Sequence, residues 1–148
     1  QFTRYFLNLS NYKSDLNKIS HFCYDNNRKG FWLATGRSGF VFFDPKNNNL
    51  EEYHFIIGDT IVETQATNFL NAGDFLWITT NKYGLFRFNK ATKQIRNYTF
   101  DTTDTSVDFS IATPNASNSI FYDSIHKLYL IGTQGNGIAA FNPTTKKK

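Results

Sequence analysis

The residue types able to do chemistry are thinly spread in this chain, and their spacing excludes most reactions. His21, His54 and His126 lie far apart, so no pair of them has the close spacing of metal ligands. His21 and Cys23 would share one face of a strand, but two ligands do not make a zinc site. Glu51 and Glu52 are neighbours, which on a strand sends them to opposite faces and prevents a paired acid and base. Gly36-Arg37-Ser38-Gly39 lacks the spacing of a nucleophile elbow, and the run from Gly132 to Gly137 has the wrong spacing for a dinucleotide fingerprint. No catalytic residues, metal ligands or cofactor site are therefore expected. The chemistry that remains is recognition by hydrogen-bonding side chains: Arg37 and Ser38, then Asn81, Lys82 and Tyr83, then Gln134 and Asn136. Asp59, Thr60, Asp104 and Asp108 join them from two connecting stretches.

The first three groups occupy equivalent places in a pattern that repeats. Phe31 to Tyr53 reads FWLATGRSGFVFFDPKNNNLEEY, and Leu76 to Tyr98 reads LWITTNKYGLFRFNKATKQIRNY. At an offset of about 45 residues, a length typical of propeller blades, these segments pair Trp32 with Trp77, Thr35 with Thr80, Gly39 with Gly84 and Phe43 with Phe88. A third copy from Leu128, LYLIGTQGNGIAAFNP, matches at Thr133, Gly137, Phe141 and Asn142 and carries Leu130 in place of tryptophan. The apolar and aromatic residues come in short runs bounded by Gly, Asn, Asp and Pro, a pattern of strands and turns. Four strands per unit are expected, a to d; in the first unit they cover Lys18–Asp25, Phe31–Thr35, Phe40–Asp44 and Leu50–Phe55. The second unit is expected to open on a strand at Ile61–Phe69. The recurring glycine falls in the turn between b and c, where positive φ or close backbone approach is needed.

The predicted fold is thus all-β, a partial propeller of about three four-stranded antiparallel blades. Residues 1–5 read as the outer strand of a preceding blade, because Phe2-Thr3-Arg4-Tyr5 copies the pattern of Leu50 to Tyr53. Residues 18–55 and 61–100 read as blades, and 118–148 as an incomplete one lacking strand d. The spacing between Thr80 and Thr133 is enlarged, which places a long connection at Asp101–Asn118. Repetition of Trp32 and Trp77 inside strands assigns them to the core rather than to sugar stacking. The turns between b and c and the connections between d and a meet on one rim of such an array, so the recognition residues would converge there. Propellers close with roughly four to eight blades, so three units need more blades of a longer chain or further copies of this one.

At LWITTNKYGLFRFNKATKQIRNY the sequence resembles the two-component regulator propeller repeat: Leu-Trp-Ile-Gly-Thr, a short variable stretch, Gly-Leu, an aromatic strand ending Asp-Pro or Asn-Pro, and Phe-x-x-Tyr. Ala34 and Thr79 replace the glycine that Gly132 retains, and Phe40 and Ile138 replace leucine. The resemblance implies a periplasmic sensor region of a hybrid two-component histidine kinase, responsive to an oligosaccharide and anchored to the membrane by parts outside these residues. The alternative is a protein-interaction scaffold with no small-molecule ligand.

Composition agrees with a folded, non-nucleic-acid-binding chain. Of the formal charge of +4, Lys146, Lys147 and Lys148 supply three, which leaves the body near neutral and without a basic patch. The single cysteine allows no internal disulfide, and no apolar run is long enough to span a bilayer.

Overall fold

The computed structural model describes residues 1–5, 7, 18–98, 116–135 and 137–142. The described chain is all-β. Its first sheet holds β1 (His21–Asp25), β2 (Gly30–Ala34), β3 (Phe40–Asp44) and β4 (Asn49–Tyr53), antiparallel and in chain order. A hairpin of β5 (Phe55–Ile57) and β6 (Thr60–Val62) follows. The second sheet holds β7 (Ala66–Ala72), β8 (Phe75–Thr80), β9 (Leu85–Asn89) and β10 (Ile95–Asn97) in the same order. The third holds β11 (Ser117–Asp123), β12 (Leu128–Thr133) and β13 (Ile138–Phe141). β7 packs against both β1 and β11, so the three sheets stand in a row with the second in the middle.

Short polar side chains close the turns that make each sheet. Asp25 Oδ1 accepts the backbone N–H groups of Asn27 and Arg28 at 3.0 and 3.2 Å, and Asp123 Oδ1 does the same for Ile125 and His126 at 2.9 and 3.1 Å. Asp44 and Asn89 act likewise after β3 and β9. Each is an Asx turn, in which the side chain stands in for a backbone carbonyl. Gly39, Gly84 and Gly137 take φ values of 91°, 67° and 74°, the left-handed conformation that the repeat predicts for the turn between b and c.

Antiparallel partners share a sheet face, and this register sorts the apolar residues among three clusters, of which the two larger lie between sheets. Trp32 lies opposite Cys23 and Phe42, and this face of the first sheet meets Ile78, Phe86 and Phe88 of the second. The Trp32 ring lies 4.9 Å from Phe42 and 5.6 Å from Phe88. Trp77 points the other way, into a core with Leu85, Tyr98, Ile120 and Ile131 of the third sheet. Both tryptophans are core residues, at 0% and 2% exposed. Burying each large side chain stabilises the stack by roughly 1.5–3 kcal/mol.

Two expected strands need correction. The strand expected at Leu50–Phe55 ends at Tyr53, and the one expected at Ile61–Phe69 is split. The chain turns at Gly58 to form the β5–β6 hairpin, and the strand that opens the second sheet begins at Ala66. The apolar residues there serve as a plug instead: Phe55 is fully buried against Phe40 and Phe86. Residues 1–5, expected to belong to a preceding blade, pair with no strand among the described residues. Tyr5 instead sets its ring edge-on to Phe43 at 5.6 Å, beside the buried Leu7.

Candidate functional site

The second and third turns between b and c are built alike. Thr80 donates its backbone N–H and its hydroxyl to the Gly84 carbonyl at 2.9 and 3.0 Å, and Thr133 does so to Gly137 at 3.0 and 2.8 Å. In the first turn the Thr35 hydroxyl accepts the Arg37 N–H at 3.3 Å. In the second and third turns the threonine and glycine are thus the two ends of one clasp that encloses the residues between them.

A two-residue connector, Thr64 and Gln65, ties the first two turns together. Ser38 Oγ accepts the Thr64 N–H at 3.0 Å, and the Gly39 N–H donates to the Thr64 carbonyl at 3.0 Å. Asn81 Oδ1 accepts both the Thr64 hydroxyl and the Gln65 N–H, at 2.9 and 3.0 Å. The Gln65 amide donates to the Gly36 carbonyl at 2.6 Å and accepts from Asn81 Nδ2 at 3.3 Å. The result is an open cavity of about 230 Å³ lined by Ser38, Glu63, Thr64, Gln65, Asn81 and Lys82.

This arrangement places the residues singled out from sequence unequally. Ser38, Asn81 and Lys82 come together at the cavity. Ser38 and Asn81 hold the rim, while Lys82 stands exposed on it. Arg37 turns to the neighbouring recess and pairs with Glu52 at 3.5 Å. There Tyr53 has its phenol pushed up to about 12 by burial and by Glu51, whose carboxylate accepts its hydroxyl. Tyr83 packs against the first core, and its carbonyl accepts the Asn97 amide at 2.8 Å. Gln134 repeats the backbone bond of Asn81: its N–H reaches the Ala116 carbonyl at 2.8 Å, as that of Asn81 reaches Gln65 at 3.1 Å. Asp59 lies at the turn of the β5–β6 hairpin and does not line the cavity, because the connection folds on itself. Asn136, Asp104 and Asp108 lie outside the described residues.

Glu63, Thr64 and Gln65 were missed by sequence reasoning. They lie in a connection that the repeats do not share, so register gave no signal for them. A larger groove of about 540 Å³ opens elsewhere, on the outer part of the second sheet, and the Arg87 guanidinium stacks over the Phe75 ring there at 4.5 Å. None of the residues singled out from sequence lines it. Among the described residues, no group of three or more His, Cys, Asp or Glu side chains is placed to hold a metal ion.

Neither a family profile nor a curated protein matches the chain. Among solved structures it is similar to the extracellular domain of BT4673 from B. thetaiotaomicron, assigned in one case as a one-component and in the other as a hybrid two-component system. The first superposes with a TM-score of 0.65 at 22% identity over 87% of this chain, and the second with 0.64 at 21% over 93%. The chain spans 16% of the length of each of those domains. At this level of identity the likeness is one of fold: the stacked antiparallel sheets of this chain superpose on a stretch of those extracellular domains.

Proposed function

We propose that this chain is a non-catalytic, ligand-sensing segment of a two-component signalling receptor, a run of propeller blades that binds an oligosaccharide on the rim between its first two sheets. The rim cavity carries this reading. It is bordered by turns from both sheets, so a ligand seated there contacts both at once. Amide, hydroxyl, carboxylate and ammonium groups suit the hydroxyls of a saccharide, and the open side leaves room for the rest of its chain. A ligand that favours one packing of the two sheets by differential affinity would shift that packing, which is all that signalling requires. The fold likeness to an extracellular sensor domain supports the role and an extracellular or periplasmic location, with membrane attachment supplied by other parts of a longer protein.

Calorimetric titration of the chain against a library of defined oligosaccharides tests the proposal. One glycan should give heat, and Lys82→Ala or Glu63→Ala should each weaken it about ten- to a hundredfold, since one charge-assisted hydrogen bond is worth roughly 1.5–3 kcal/mol. Silence across the library would sink the saccharide reading. The exposed apolar side chains of the third sheet, Phe121 and Ile138, favour a second reading, a protein-interaction scaffold. Capture of a defined protein partner, lost in Phe121→Glu, would support it.

A further inference from the structure

The rim cavity between the first two sheets is polar on every side. Its lining, Ser38, Glu63, Thr64, Gln65, Asn81 and Lys82, contains no aromatic or aliphatic side chain. A sugar seated there finds no ring to stack on, so it is read through its polar substituents. Which substituents fit follows from the donors and acceptors that remain once the walls have bonded to one another.

The acceptors are largely occupied. Asn81 Oδ1 receives both the Thr64 hydroxyl and the Gln65 N–H, and the Thr64 carbonyl receives the Gly39 N–H. The Gly36 carbonyl receives Gln65 Nε2, and Gln65 Oε1 receives Asn81 Nδ2. The donors are not used up. A backbone N–H can only donate, so the bond from Gln65 fixes which end of the Asn81 amide is oxygen; Asn81 Nδ2 then has one N–H on Gln65 and a second to spare. A carbonyl can only accept, so Gly36 fixes the Gln65 amide in the same way and leaves its second N–H free. Ser38 Oγ accepts the Thr64 N–H and keeps its own proton to donate. The exposed Lys82 ammonium has no ion pair or hydrogen bond among the described residues. Against these donors stands one carboxylate, that of the exposed Glu63, likewise without an ion pair among the described residues.

We propose that the cavity selects an acidic sugar: Lys82 pairs with an oxyanion on the ring, carboxylate or sulfate, the spare N–H groups of Asn81 and Gln65 donate to the same group, and Glu63 accepts a neighbouring hydroxyl. A bare anion would satisfy the donors but face Glu63 with nothing to donate. An acidic sugar satisfies both, because it carries hydroxyls beside its charge. The amides that do the reading are held by bonds from both turns, so they are oriented before the ligand arrives. This selection rests on the saccharide reading of the same cavity and narrows it to one class.

Calorimetric titration of the chain with matched pairs tests the selection. Trigalacturonate is set against its full methyl ester and a sulfated galactan trisaccharide against its desulfated form, and every other acidic glycan of the library is paired with its neutral form in the same way. At least one acidic member should bind about tenfold or more tightly than its neutral partner, with an affinity that falls as salt is raised. The pair that shows the preference identifies the oxyanion. Lys82→Gln changes an exposed side chain and should erase the preference, whereas Lys82→Arg should keep it. Heat from a neutral glycan, with no acidic form preferred, would overturn the selection and leave the saccharide reading standing. Silence across the whole library would end both. An acidic preference that survives in Lys82→Gln would also overturn the assignment.

Discussion

Lys90 Nζ lies 3.0 Å from Asp25 Oδ2 and ties the turn after β9 to the end of β1, across the boundary between the first two sheets. The pair is buried, at 9% and 1% exposed. The Trp32 indole N–H donates to the same carboxylate oxygen at 3.0 Å, and Lys90 also donates to Asn71 Oδ1 at 2.8 Å. Asp123 closes the matching turn of the third sheet but pairs there with His126 on its own turn, so only the first of these aspartates is a cross-sheet tie.

Removing one partner of a buried pair strands the other, so Lys90→Met should destabilise the chain by about 3–5 kcal/mol in urea unfolding. Burial raises the Asp25 pKa, but hydrogen bonds from Trp32, Lys90 and the Arg28 backbone outweigh it and hold the carboxyl below its usual value. Its stabilising contribution is therefore complete above the unfolded value of about 3.9 and is lost as pH falls through the lower folded value. Urea midpoints should fall below about pH 4 in the wild type, and the fall should be shallower in Lys90→Met.

Gly39 and Gly135 separate backbone strain from collision. Both have left-handed φ, 91° and 97°, but a Cβ on Gly39 would lie 2.3 Å from the Tyr53 carbonyl oxygen while one on Gly135 meets nothing within 4 Å. Gly135→Ala should cost about 1 kcal/mol, and Gly39→Ala roughly 3 kcal/mol or more, because strand β4 must move as well. Equal thermal midpoints for the two variants would contradict this geometry.

Thr80 is fully buried, and its hydroxyl both donates to the Gly84 carbonyl and accepts the Tyr83 N–H at 3.1 Å. Thr80→Val keeps the volume and loses both bonds, so it should cost about 1–3 kcal/mol, whereas Thr80→Ser should lose much less. If both variants unfold at the same denaturant concentration, the clasp does not hold the turn.

Trp77→Ala should cost about 3–5 kcal/mol, since it empties the centre of the core between the second and third sheets. A thermal midpoint unchanged by the substitution would contradict that core.

The repeat made the sheets legible from residues alone. Short aromatic runs such as FVFFD and LFRFN, bounded by Gly, Asn, Asp and Pro, marked strands, and the shared glycines marked turns, since each depends on local backbone geometry. The placing of Trp32 and Trp77 in the core was legible for the same reason. The rim was only partly so. Ser38 and Asn81 were singled out as ligand contacts, and what their sequence did not show is that their polar atoms also hold Thr64 and Gln65. Those hydrogen bonds join residues 16 to 26 positions apart, and no repeat encodes them.

Sequence alone determined that this chain builds successive antiparallel sheets with a threonine and a glycine at each turn between b and c, because short apolar runs and left-handed backbone are properties of neighbouring residues. Tertiary structure decided the rest. It turned the Phe55–Val62 connection into a hairpin and plug, made Lys90 the partner of Asp25, and set Glu63 and Lys82 on one cavity. Such choices depend on which groups a neighbouring sheet brings within hydrogen-bond reach, and only packing settles that.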